Sequence, residues 1–201
     1  FEFHSGIYTI TTTEAGTGSA TEVITAGAGG QLLITNAAGD NDLDFFQLKG
    51  ESFLWDSTKR MFFTSRFKTN DATQSEIIMG LQITDTTPLD ITDGIYFFKP
   101  DGDTQPDFVV EKDNDFGTSV LEMNAMADDT FVTLSFEYDP LDVATGGPVF
   151  RAYQDGAKVG QIASTTNAPD DEELTISFGI QNGEAVVKTL SLDFLMAAVE
   201  R

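Results

Sequence analysis

The run Asp40-Asn-Asp-Leu-Asp44, followed by Glu51, sets carboxylates at the first, third, fifth and twelfth positions of a calcium-binding loop. The sixth position, where such a loop turns sharply on glycine, is Phe45, and the stretch Asp-Phe-Phe-Gln reads as a strand. The reading is therefore a solvated acidic turn, with a non-helical Ca²⁺ site as the alternative and no other cofactor. Asp101-Gly-Asp103, Asp113-Asn-Asp115 and Asp170-Asp-Glu-Glu173 are further acidic clusters of the kind that form solvated turns. The single histidine, His4, stands near the terminus, where an exposed contact is expected. With no cysteine, thiol catalysis, thiolate metal sites and disulfides are all excluded. No Ser-His-Asp set, P-loop or Gly-x-Gly-x-x-Gly is present, so no catalytic residue is assigned. Segment 60–68 alternates Phe63, Ser65 and Phe67 with Phe62, Thr64, Arg66 and Lys68. That pattern is a core strand with a solvated face, or a groove wall with a basic rim.

At the other end of the chemistry are residues suited to binding a partner. Phe1, Phe3, Ile7, Tyr8 and Ile10 make an apolar N-terminal segment, followed by a Thr/Ala/Gly-rich stretch over 11–30. An extended segment of this kind can add a strand to a neighbour's sheet edge. It is expected to act as an arm whose removal, over 1–13, leaves the rest folded.

These groups ride on a chain of 201 residues whose 11 Lys and Arg oppose 33 Asp and Glu, a net charge of −22. That balance excludes binding to phosphate backbones and to anionic membrane surfaces, both of which need cations. No apolar run approaches a membrane-spanning length. At 40% apolar, with 17 Phe, the chain can still bury a substantial core.

The elements that must position these residues are strands. Period-two runs recur between turn signals at 6–13, 21–26, 31–36, 43–49, 52–55, 60–69, 76–84, 94–99, 108–112, 131–139, 149–154, 158–163, 174–181 and 187–199. Only 123–128 could make a helical turn. Asp155-Gly156 is a strong hairpin signal, because a tight primed turn needs positive φ. The expectation is an all-β, two-sheet antiparallel β-sandwich of jelly-roll type. It is divided into an arm with lead-in strands over 1–49 and a sandwich domain over 50–201.

The order of 60–68, 75–84, 130–138, the hairpin 150–162 and 189–196 resembles a concanavalin A-like jelly roll, similar to laminarinase-type glycosidases and laminin-G-like modules. More narrowly, 71–76, 80–85, 92–97, 108–112, 127–132 and 170–174 followed by 179–185 resemble virion proteins of tailed bacteriophages. That likeness implies a head decoration or cement protein, and it carries no ligand residue.

The glycosidase implication can be examined residue by residue. Retaining enzymes of that superfamily carry E-x-D-x-x-E on one strand, because two carboxylates must flank the scissile bond. With Glu76 as the first Glu, the Asp position falls on Ile78 and the second Glu on Leu81. Two of three carboxylates are missing, so the chain is read as a non-enzyme.

The expected function is a structural protein of a phage particle on the outer surface of the head. It would bind the major capsid protein or other virion proteins by many weak contacts, and would self-associate as a homotrimer. The alternative is a carbohydrate-binding, lectin-like adhesion module on the same fold. Trp55, Tyr96 and Tyr153 exposed together in one concavity would favour that alternative.

Overall fold

The computed structural model describes residues 3–27, 29–144 and 146–201; Phe1, one of the proposed arm residues, lies outside them. A 3₁₀ turn (Ser5–Ile7) leads into β1 (Tyr8–Thr13), β2 (Thr21–Thr25), β3 (Gln31–Thr35), β4 (Leu43–Leu48), β5 (Met61–Thr69), β6 (Ser75–Gln82) and β7 (Gly94–Lys99). There follow β8 (Asp107–Glu111), β9 (Val120–Glu122), β10 (Val132–Asp139), β11 (Val149–Gln154), β12 (Ala157–Ile162), β13 (Thr175–Asn182) and β14 (Thr189–Val199). They form two seven-stranded sheets: sheet I in the order β1-β4-β13-β6-β7-β8-β9, and sheet II in the order β12-β11-β10-β5-β14-β3-β2. The chain is thus an all-β sandwich, as its alternation and turns predict.

The predicted hairpin is present. Asp155 (φ 51°) and Gly156 (φ 80°) join β11 to β12, the positive φ pair a primed two-residue turn demands. Two local expectations fail, and one strand, β9, is unanticipated. Segment 52–55 makes only an isolated bridge, Phe53 to Leu174. β9 is too short to show alternation. Segment 123–128 is not helical: Met123 and Met126 are buried, and their amides donate to the carbonyls of Pro106 and Thr104. Tertiary burial of the two methionines overrides a weak local preference.

The core lies between the sheets and is largely aromatic. Phe63 stacks on Phe136, which meets Phe108 and Phe97; Phe46 stacks on Phe178 at 5.0 Å; Trp55, Tyr138 and Phe150 close another part of the core. Each fully buried ring contributes about 1.5–3 kcal/mol. Lys188 is 1% exposed and is held by Asp71 at 2.6 Å and Glu184 at 2.7 Å. It ties the lead-in to β14 to the turn before β6.

The division at 49/50 has no counterpart in the sheets. Residues 1–49 supply β1 and β4 to sheet I and β2 and β3 to sheet II. Leu32, Ile34, Phe45 and Phe46 are fully buried. Nor does β1 stand free as an arm. It pairs with β4 from Tyr8–Leu48 to Thr13–Leu43. Phe3 stacks on Tyr8, Tyr8 meets Phe46 and Phe178 edge-on, and Ile10 packs on the core. Of the four described arm residues only Ile7 is exposed. The apolar alternation at the N-terminus serves this chain's own sheet edge.

Candidate functional site

Alternation along β6 decides what reaches the outer face of sheet I. Ile77, Met79 and Leu81 point into the core, so Glu76, Ile78, Gly80 and Gln82 point outward. Of the two positions where a retaining glycosidase would carry further carboxylates, Ile78 is on the outer face and Leu81 lies in the core. Glu76 is half-buried, and burial, with Asp101 nearby, raises its carboxyl above the ordinary range.

Two glycines shape this face. A Cβ on Gly179 would lie 2.4 Å from the Phe45 ring, and one on Gly80 would lie 2.5 Å from the Tyr96 Cα. Their absence of side chain lets Phe45 and Tyr96 lie close across the central strands. Over them folds the loop 83–93. Gln47 Nε2 donates to the Ile83 carbonyl at 3.0 Å, the Asp85 amide donates to Gln47 Oε1 at 3.0 Å, and Gln82 Nε2 donates to the Pro88 carbonyl at 3.0 Å. Leu89 and Ile91 thereby pack on Leu43, Phe45, Ile78, Tyr96 and Val109, a small apolar cluster outside the main core.

Beside that loop is a cleft of about 350 Å³. Leu89, Asp90 and Ile91 form one wall, Tyr96 and Phe98 of β7 with Asp107, Val109 and Glu111 of β8 form the floor, and Asn114, Phe116 and Val120 form the far rim. The Tyr96 hydroxyl donates to Glu111 Oε2 at 2.5 Å. Burial raises Tyr96, and Glu111 raises it further. Burial likewise raises Glu111, helped by Asp93, Asp90 and Asp115 and opposed by the Tyr96 hydrogen bond. Asp107 is raised by burial and by Glu122 and Asp103. Phe116 is 47% exposed and Phe98 half-buried, so both offer ring surface to a ligand.

Among these residues the sequence alone points only to Tyr96. A signal for the others was present: alternation over 94–99 and 107–111 sets Tyr96 and Phe98 beside Asp107, Val109 and Glu111 on one face. The aromatic trio whose convergence would have favoured the lectin-like alternative does not converge. Trp55 is 5% exposed in the core, Tyr96 is 6% exposed on the cleft floor, and Tyr153 is on the opposite sheet, donating to Glu137.

The acidic run near β4 does not gather into a loop site. Asp42 accepts the amides of Ala15 and Gly39; Asp44 turns between the sheets and accepts from Thr12; Glu51 accepts the Thr84 amide. A strand sends these carboxylates to separate neighbours. Among the described residues no group of three or more Asp, Glu, His or Cys is placed to hold a metal ion. The outer face of sheet II carries a larger hollow, about 570 Å³, whose charged walls are satisfied internally. Arg151 pairs with Glu137, Asp139 and Asp142, and Arg60 with Asp139. The basic rim in the alternative reading of segment 60–68 is occupied too: Arg66 binds Asp193 and lies 4.2 Å over the Phe131 ring.

No family model and no curated protein matches the chain. Solved structures do. An endo-1,3-β-glucanase from Streptomyces sioyaensis superposes with a TM-score of 0.67 over 98% of this chain and 90% of its own, at 12% identity. The carbohydrate recognition domain of Emp46p in its potassium-bound form gives 0.59 over 96% and 88%, at 13% identity. An endo-β-1,4-glucuronan lyase from the fungus Trichoderma reesei gives 0.55 over 93% and 89%, at 10% identity. At such identities the likeness is one of fold, which enzymes and recognition domains share. The chain is a jelly-roll β-sandwich of the concanavalin A-like type.

Proposed function

We propose that this protein is a carbohydrate-binding, lectin-like module that holds a glycan on sheet I without cleaving it. The observation that carries the reading is the cleft itself. Accessible faces of Phe98 and Phe116 stand beside Asp90, Asp107, Glu111 and Asn114, the mixture of flat apolar surface and hydrogen-bonding groups that a sugar ring needs. The nature of the fold's neighbours, recognition domains among them, is consistent with it. Ile78 and Leu81, where a retaining glucanase would carry carboxylates, argue against hydrolysis. Titration of isotope-labelled protein with an oligosaccharide panel tests the proposal. Amide shifts should centre on β7, β8 and loop 83–93, and Phe116→Ala should weaken binding about tenfold, the scale of one lost ring contact. Shifts elsewhere, or none, would overturn it, as would release of reducing sugar for the claim of no cleavage.

A second reading has its own support: a structural component of a phage particle that decorates the head through repeated contacts. Phe194 and Met196 are 40% and 53% exposed on the outer face of sheet II, and Val23 and Ile24 are 48% and 49% exposed on the edge strand β2. Apolar groups left in water in this way suit docking to a protein lattice. Light scattering over a salt series should then reveal a homotrimer at moderate salt, and the protein should co-purify with capsid. A monomer at every salt concentration, with no such co-purification, would discard this reading.

A further inference from the structure

We infer that the cleft on sheet I selects saccharides bearing a free amine and excludes uronates, an inference that rests on the carbohydrate-binding reading above. Three carboxylates line it, from Asp90, Asp107 and Glu111, and no Lys, Arg or His does. The neighbouring cation in sequence, Lys112, is bound by Asp170 and Asp171. Glu111 is 3% exposed, and its Oε2 accepts from the Tyr96 hydroxyl at 2.5 Å. A mostly buried carboxylate pressed by Asp93, Asp90 and Asp115, in a cleft whose lining holds no cation, gives the floor a negative potential. An ammonium group placed there would neutralise the field; a uronate would add a like charge. The rings of Phe98 and Phe116 supply what a bare amine does not use, a surface for the sugar ring.

Calorimetry with four tetrasaccharides and one control tests this: glucosamine, N-acetylglucosamine, glucose and glucuronate tetramers, and spermine. At 20 mM salt the glucosamine tetramer should bind at least tenfold more tightly than the glucose and N-acetylglucosamine tetramers. The glucuronate tetramer should give no heat. The advantage should shrink at 500 mM salt. The double variant Asp107→Asn/Glu111→Gln should lose the amine preference, read as the ratio of glucosamine-tetramer to glucose-tetramer affinity within the same variant. It removes only two charges from a net −22, so a non-specific attraction for polycations would survive it. Asp90→Asn, on the exposed loop, should lose part of the preference without the risk of misfolding. Equal binding of amine and neutral tetramers overturns the inference and leaves the carbohydrate reading standing. A preference unchanged in the variants, or spermine binding as tightly as the glucosamine tetramer, also overturns it. If no tetramer binds, both fall.

Discussion

Asp44 sits fully buried between the sheets, with Thr12 donating to one oxygen at 3.0 Å and, among the described residues, no N–H or hydroxyl donor for the other. Burial, and the Glu22 carboxyl brought in from β2, push it up to about 7. Well below the ordinary aspartate value of 3.8 the group is protonated folded or unfolded; as pH rises from there toward 7 the unfolded chain ionises and the folded one largely does not. Stability should therefore fall across that window. Asp44→Asn should flatten the fall and stabilise the protein at pH 8 by roughly 2–4 kcal/mol, since each tenfold difference in proton affinity between the folded and unfolded chain is worth about 1.4 kcal/mol. At pH 4 it should change little. Urea midpoints at both pH values measure it, and an unchanged slope would mean that Asp44 holds no proton. Gly179 makes a second prediction at this scale. An added Cβ would meet the Phe45 ring at 2.4 Å and the Asp44 carbonyl at 2.7 Å, and backbone cannot step aside as a flexible side chain can. Gly179→Ala should cost about 2–3 kcal/mol, read from the urea midpoint. A neutral result would mean that Phe45 is free to move.

Among the elements, β1 changes meaning most between sequence and structure. As a docking arm it could be removed harmlessly. As the edge of sheet I it covers β4 and brings Phe3, Tyr8 and Ile10 onto Phe46 and Phe178. Deleting 1–13 should lower the thermal midpoint by about 10 °C or more, since each kcal/mol is worth roughly 2–4 °C in a chain of this size. A midpoint within a few degrees of the full chain would restore the arm. Loop 83–93 is the other decisive element. Its sequence is a string of turn formers, and side chains from other strands, the amides of Gln47 and Gln82 among them, fix it across the sheet to make a cleft wall.

The whole molecule carries a large net negative charge. Its 11 Lys and Arg, Arg60, Arg66, Lys112, Arg151 and Lys188 among them paired with carboxylates, are outnumbered by 33 Asp and Glu, and the net −22 is the excess that no cation opposes. Screening should relieve that repulsion as the Debye length shortens from about 30 Å at 0.01 M to about 8 Å at 0.15 M. The thermal midpoint should rise over this range in a neutral salt. A fall would mean that the ion pairs, which salt weakens, outweigh the repulsion. The acidity also bears on function: it leaves uronates and phosphates as poor ligands for any outer face.

Alternation and turn chemistry determined the β-sandwich, nearly every strand and the 155–156 hairpin, because a period of two and a Gly at positive φ are local properties. The absence of two glycosidase carboxylates at Ile78 and Leu81 was equally legible. Strand order was not, since β1 beside β4 or β3 beside β14 depends on pairings far apart in sequence. For that reason 1–49 read as an appendage although it is woven into both sheets. The cleft was hidden likewise. Tyr96 and Phe98, Asp107 and Glu111, and Phe116 come from separate segments, and only the pairing of β7 with β8 sets the first four side by side. Burial of Asp44 against Glu22 arises across the two sheets, so the proton they contest is a property of the tertiary structure alone.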